Sequence, residues 1–305
     1  LSLYIQDDLF TNGEKVKIIS INNLLKLKNE IECFKKDQIL NNFQKWIVND
    51  LYILDVPQVE FTVKSIILTA IPHPFYAEVI FTKNNKKYNC MSLVMSDFEK
   101  TEKILKKMLI KEKYNFIKAQ NLPLKRLAVH SGLAVYGRNN ICYINGMGSN
   151  FSFAAYYSDI PCTNDNWTDA AIAEICNKCN ICLKNCPTGA IQENKFLIDN
   201  ERCLSYWNEN SAPFPEWIPK SAHHCVYDCL KCQIFCPMNK NQIKNVVGPI
   251  YFNESETDIL LSGLHFEQQL PASLKQKTKY LGFHQWPDGI QKNLNTIFGL
   301  NDNYK

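Results

Sequence analysis

The stretch CNKCNICLKNCPTGAI, Cys176 to Ile191, carries four cysteines in eleven residues. Cys176, Cys179, Cys182 and Cys186 form a C-x2-C-x2-C-x3-C run closed by Pro187. A second group, Cys229, Cys232 and Cys236, has the spacing C-x2-C-x3-C and is closed by Pro237, with Cys203 alone between the two groups. Thiolates at x2 spacing can point to one side of a tight turn and grip three irons of a cubane, while the cysteine before the proline turns away to a second cubane. Eight cysteines then serve two [4Fe–4S] clusters. Cys176, Cys179, Cys182 and Cys236 hold one, and Cys186, Cys203, Cys229 and Cys232 hold the other. The alternative is a pair of zinc sites. Zinc shares the CxxC pairs, but a third x2-spaced cysteine and a following proline are not its habit. Cys225 is a ninth thiol of the region, either a spare, or an alternative ligand or redox-active thiol.

Composition supports an inorganic centre. The 305 residues include thirteen cysteines, nine of them between Cys176 and Cys236, which is not how a disulfide scaffold spreads its thiols. Hydrophobic residues make up 46% and charged residues 21%, the balance of a globular chain. The net charge of +4 is too mild to argue for nucleic acid, so a nucleic-acid partner is not expected. No apolar run reaches the ~20 residues of a membrane span, and the first residues lack the pattern of a secretory signal. No membrane partner is expected, and the expected location is cytoplasmic. Cys33, Cys90, Cys142 and Cys162 read as small core residues.

Outward from the cysteines, three consecutive parts are expected. Residues 1–159 read as an α/β domain, 160–239 as the double-cluster domain, and 240–305 as a mainly helical region packed on the others. VKIIS and VKSIILTAI are short β-branched runs suited to buried strands, and YAEVIF is a strand followed by a polar turn. DFEKTEKILKKMLIKE has amphipathic helix spacing with Asp97 as N-cap. PLKRLAVHSG predicts a helix with Pro123 near its start and Gly132 near its stop. NNICYING and FSFAAYYS predict a strand pair around a turn at Gly146 and Gly148. ETDILLSGL and DGIQKNLNTIFGL are the best C-terminal helices.

CNKCNICLKNCPTGAI, DNERCLSYW and YDCLKCQIFCPMN together resemble the iron–sulfur part of epoxyqueuosine reductase. RLAVHSGLAVYGRNNICYINGMGSNFSFAAYYSDIP is similar to that family's Gly-rich block upstream. The resemblance runs from about Arg126 to Asn239, and the reductive dehalogenases are wider relatives. It implies a nitroreductase-like α/β fold holding a base-off cobalamin, a corrinoid, ahead of a ferredoxin-like double-cluster domain. Electrons would pass from a low-potential donor such as ferredoxin or flavodoxin through both clusters to the cobalt. The corrinoid loop it implies is Ser131, Gly132, Tyr136, Gly137, Arg138, Asn139 and Asn140, with Gly148 and Ser149 in the next turn. Glycines there would let backbone approach the macrocycle, and Arg138 and the asparagines would hold its amides or phosphate.

The chain also departs from that family. Where the family has a Val-Asp-x-x-Pro segment with an acid as proton donor, this chain reads KAQNLP, with Gln120 at the acid's position. A glutamine is no general acid. The family's Asp-Tyr-His becomes Asp97-Phe98-Glu99, and the C-terminal helical repeats that help grip tRNA are much shortened. The chain therefore reads as a divergent paralogue rather than a true epoxyqueuosine reductase. Tyr156, Tyr157 and His130 are the replacement proton donors, and His73, Tyr76 and Glu78 follow a strand where α/β folds place sites. His223 and His224 lie beside the cysteines as second-layer or surface groups. The expected function is a cobalamin-dependent iron–sulfur oxidoreductase acting on a small organic substrate. The alternative is an electron-transfer protein that reduces another protein's corrinoid.

Overall fold

The computed structural model describes residues 13–37, 40–193, 195–263 and 270–299. In chain order the strands are β1 (Lys15–Ser20), β2 (Ser65–Pro72), β3 (Tyr76–Lys83), β4 (Lys86–Ser92), β5 (Phe116–Lys118), β6 (Val135–Tyr136), β7 (Cys142–Tyr143), β8 (Phe151–Ser158) and β9 (Val246–Phe252). The α-helices are α1 (Asn22–Asp37), α2 (Asn42–Trp46), α3 (Phe98–Lys111), α4 (Leu124–His130), α5 (Ile181–Asn185), α6 (Leu204–Asn208), α7 (Lys231–Ile234), α8 (Glu254–Ser262), α9 (Ala272–Tyr280) and α10 (Pro287–Ile297). This is a mixed α/β fold.

Its partition differs from three consecutive domains. The chain divides into two compact units, one made of residues up to His73 with Ser96–Cys179, the other of Pro74–Met95 with the residues from Asn180 onward. The expected first domain thus gives up the β3–β4 hairpin, and the expected last region is not separate from it.

The first unit is built on an antiparallel sheet ordered β1-β2-β8-β5. The β-branched SIILTAIP of β2 is buried on both faces because it pairs with β1 on one side and β8 on the other. One face of the sheet packs Val16, Ile18, Ile67, Ala154 and Tyr156 against Leu105, Met108 and Leu109 of α3. Asp97 caps α3, its carboxylate accepting from the Lys100 amide at 2.9 Å. The expected pairing of NNICYING with FSFAAYYS does not occur. The edges of β8 are taken by β2 and β5, and β7 instead forms a two-residue ladder with β6.

The second unit contains a sheet ordered β4-β3-β9, with β3 and β9 parallel. Its apolar face, Ala77, Val79, Phe81 and Phe252, packs on Leu260, Leu274, Phe283, Ile290 and Leu294 of the C-terminal helical segments. Phe81 and Phe252 stack at 4.8 Å. The tail expected to be mainly helical therefore contributes a strand. At Gly248, φ is +108° and a Cβ would stand 2.5 Å from the Glu78 carbonyl, so only glycine lets β9 approach β3 beside its bulge.

Candidate functional site

In the second unit, short helices present Cys203 and Cys229. Cys203 immediately precedes α6, and the backbone amides of Ser205 and Tyr206 bond its thiol. Cys229 lies two residues before α7, and the Lys231 amide bonds its thiol in the same way. The Ala190 amide donates to Cys186 Sγ at 3.2 Å. Such N–H donors stabilise a thiolate and tune a cluster's sulfurs. Burial nevertheless pushes the Cys203 and Cys229 thiols up. For Cys229 the nearby Asp228, Cys203 and Cys186 push the same way. A raised pKa keeps the Cys203 and Cys229 thiols protonated, and a bound metal centre would displace those protons. Among the described residues no group of three His, Cys, Asp or Glu side chains is placed to hold one metal ion.

The loops between the cysteines are braced by groups whose role the spacing did not show. Arg202 donates from Nε to the Thr188 carbonyl at 3.1 Å and lies 4.8 Å over the Trp217 ring, tying the segment after Cys186 to Cys203. Asp228 accepts from Ser205 Oγ and from the Cys229 amide, the latter at 2.6 Å. His224 is held between the carbonyls of Ala222 and Cys229, and His223 meets Phe214 edge-on. Cys225 is fully enclosed and donates to the Tyr227 carbonyl at 2.9 Å, as a core thiol does. Cys90 and Cys142 are core thiols as expected, Cys162 is half-buried, and Cys33 is exposed.

In the first unit, a strap of chain leads from β8 to Cys176. Asn23 Nδ2 donates to both oxygens of Asp165 at 2.7 and 2.8 Å. Trp167 stacks on the His130 ring at 4.6 Å, and His130 Nδ1 donates to the Thr168 carbonyl at 2.6 Å. Nε2 of His130 meets a carboxylate oxygen of Glu30 at 2.7 Å, and Arg126 pairs with the other oxygen. Both ring nitrogens thus face acceptors, which selects the imidazolium. Burial opposes that charge, but the Glu30 and Thr168 bonds outweigh it and raise the His130 pKa. The Glu30 carboxyl, penalised by burial, is held below its ordinary value by His130 and Arg126.

The strap then brackets Tyr136, whose amide bonds the Ala171 carbonyl at 3.0 Å while its carbonyl accepts from Ala173 at 2.8 Å. Arg138 donates from Nη2 to the Cys176 carbonyl at 2.7 Å, and its amide lies 3.4 Å from Cys176 Sγ. The structure therefore joins His130, Tyr136 and Arg138 to the first cysteine of the run.

Other expected cofactor contacts are spent inside the loop. A Cβ on Gly137 would meet Asn139 Oδ1 at 2.5 Å and the Tyr143 ring at 2.6 Å, so the packing of the loop's own neighbours requires glycine here. Asn139 is buried and bonds Tyr143 Oη at 2.9 Å, Asn140 accepts from Lys125, and Ser131 Oγ bonds the Ala128 carbonyl. Gly132, at φ +73°, ends α4. Gly148 is also left-handed and its carbonyl accepts from Ile144, and Ser149 beside it is buried. Sequence reading passed over the next residue. Asn150 is buried with both amide atoms of its side chain unpartnered.

Tyr156 and Tyr157 project to opposite faces of β8. Tyr156 is 0% exposed inside the apolar cluster under α3, with Phe116 edge-on at 5.7 Å. Both phenol oxygens are buried without a hydrogen-bond partner, and burial pushes each pKa to about 12. Gln120 is exposed after β5, and Glu99 is exposed on the first turn of α3. His73 ends the first unit's early segment, with its amide bonded to the Asn150 carbonyl, whereas Tyr76 and Glu78 belong to β3 in the second unit.

Residues 175–239 match the family model of the 4Fe-4S double cluster binding domain. The chain carries two [4Fe–4S] clusters' worth of such a domain. Epoxyqueuosine reductase of Aliivibrio fischeri is 33% identical over 126 residues, 41% of this chain and 33% of the relative. That of Escherichia coli is 32% identical over 126 residues, 41% of this chain and 32% of the relative. The matched stretch thus spans about a third of these curated relatives. Among solved structures, epoxyqueuosine reductase from Bacillus subtilis superposes with TM-score 0.60 at 17% identity, over 97% of this chain and 78% of that one. An epoxyqueuosine reductase solved with a modified tRNA-Tyr stem loop gives TM-score 0.61 at 17% identity, over 93% of this chain and 76% of that one. The fold is shared with them. The last of these also corrects one expectation: mild net charge is no ground for setting nucleic acid aside, because a protein of this fold was crystallised with it. Among the described residues no helix is long and apolar enough to cross a membrane.

Proposed function

We propose that the chain is an iron–sulfur reductase of the epoxyqueuosine reductase kind, dependent on cobalamin. The observation that carries this reading is the join at Arg138, which links the loop after α4 to Cys176. In this reading Cys176, Cys179, Cys182 and Cys236 hold one cluster and Cys186, Cys203, Cys229 and Cys232 the other. The electrostatic coupling of Cys186 and Cys203 to Cys229 supports the second set. The clusters supply single electrons and the corrinoid supplies the reducing centre. The chain's own residues bind and orient. The unpartnered Asn150 carboxamide fits an amide of the corrin rim, which offers the donor and acceptor it lacks. Tyr157 is the proton donor of this reading. Its phenol stays protonated through neutral pH, whereas Tyr156 is enclosed by core and His130 is committed to Glu30 and Thr168.

The substrate of this reading is a small organic molecule, because the family's acid is replaced by the exposed Gln120. A second reading, tRNA-borne epoxyqueuosine, is favoured by the neighbour solved with a modified stem loop. Hydroxocobalamin added to the reconstituted chain tests the proposal. A base-off spectrum is expected, and Asn150→Leu should weaken binding about tenfold, the worth of one or two hydrogen bonds. An unchanged cobalamin spectrum would remove the corrinoid. Retention of a modified stem loop under the same conditions would move the substrate to tRNA.

A further inference from the structure

We propose that the face formed by α5, α7 and the turn at Pro237–Asn245 is the docking surface for a small acidic electron-carrier protein. The inference rests on the cluster reading above. Helices α5 and α7 pack against each other. The Asn239 side chain, donating to the Gln233 carbonyl at 3.0 Å, fixes the following turn to α7. These two helices and the turn contribute Lys184, Lys231, Lys240 and Lys244, and neither 180–192 nor 229–253 contains a single Asp or Glu. Lys184, Lys240 and Lys244 are exposed. The neighbouring carboxylate, Asp228, is turned to Ser205 and the Cys229 amide.

Among these lysines stand exposed apolar side chains: Phe235 at 48%, Ile181 at 37% and Ile243 at 37%. Phe235 sits between Cys232 and Cys236 in the chain, and both cysteines are half-buried. A small apolar centre within a ring of one charge suits a brief, steered encounter, in which the charge sets the on-rate and the apolar contact sets the geometry. A carrier of negative surface charge, docked here, would give up one electron at a time, becoming oxidised by the same count as the clusters are reduced.

The test uses the reconstituted full chain and reduced plant-type ferredoxin as the probe, with cluster bleaching followed by stopped flow. The wild-type rate should fall steeply with salt. Lys184→Glu, Lys240→Glu and Lys244→Glu combined should lower it at least about tenfold at low salt. The same variant should lose nothing with reduced methyl viologen, a cation. The milder pair Lys240→Gln and Lys244→Gln, away from the cysteines, should show a smaller fall in the same direction. Equal ferredoxin rates in wild type and variants, with iron content intact, would overturn the docking surface alone. So would loss of stem-loop RNA binding in the variants with ferredoxin rates unchanged. A wild-type chain that takes up no iron would overturn both this inference and the cluster reading.

Discussion

His130 shows what a single side chain can hold in this fold. It joins α1 through Glu30 and the strap through Thr168 and Trp167, and the loop bearing Tyr136 and Arg138 begins one residue later. The charged groups facing it are Glu30 and Arg126, and their balance fixes the pH at which the clasp works. His130 is raised above its ordinary 6.5, so its contribution is complete below that value and disappears as pH rises through the raised pKa. Glu30 is lowered from 4.5, so its contribution is complete above that value and is lost as pH falls through the depressed pKa. The stability gap between wild type and Glu30→Gln should therefore be widest between about pH 4.5 and 6.5, at about 1.5–3 kcal/mol. Thermal unfolding across pH checks this, and a gap that widens above pH 8 would contradict it. His130 was legible as a residue next to the loop. Its partner Glu30 was not, because nothing in sequence links residues 100 positions apart.

Among the elements, α10 braces the segment that follows α6 in the cysteine region. The half-buried Lys292 ammonium bonds the carbonyl of Trp207 in the last turn of α6 and those of Asn210 (2.8 Å) and Ala212 (3.2 Å) beyond it, and lies 4.0 Å over Phe214. Burial draws its pKa down to about 8, which leaves it charged at neutral pH. Asn293 adds bonds to the Asn208 and Val226 carbonyls, each at 2.8 Å. Lys292→Met should cost about 1.5–3 kcal/mol in urea unfolding, since it strands several carbonyls at once. Gly289→Ala should cost about 1–3 kcal/mol by overpacking, because its Cβ would stand 2.8 Å from the Asn208 carbonyl. A neutral effect for either would mean that α10 is not held as described. The helix itself was legible from its apolar spacing. Strand β9 was not: VVGPIYF contains a glycine and a proline, and its partner β3 lies some 170 residues earlier. The pairing proposed for β8 failed for the same reason. Local turn signals favoured a neighbour, and the sheet supplied distant partners on both edges.

For the whole molecule, the cysteine spacing states a wiring that electron paramagnetic resonance can check. Cys186→Ser and Cys203→Ser should disturb one and the same cluster, and Cys176→Ser and Cys236→Ser the other. Iron should fall from about eight per chain in each case. If Cys186→Ser and Cys176→Ser altered a common signal and left the other untouched, the exchange of the pre-proline cysteines would be wrong. The double-cluster domain was the most legible part of the chain, because cysteine spacing is local chemistry. The loop expected to hold the cofactor was less so: its residues are right for a tight turn, and Gly137, Asn139 and Asn140 help to hold that turn together.

The chain passes from one unit to the other after His73, back after Met95, and over again after Cys179. Neither unit is a single cut of the gene. A fragment ending at Cys179 would keep the β3–β4 hairpin but lack β9 and the helices that cover Ala77, Val79 and Phe81. It would present a bare apolar sheet edge to its own copies. Dissection into a cofactor half and a cluster half should therefore yield aggregates, and a functional pair of halves would have to be made by grafting residues 74–95 onto the later piece.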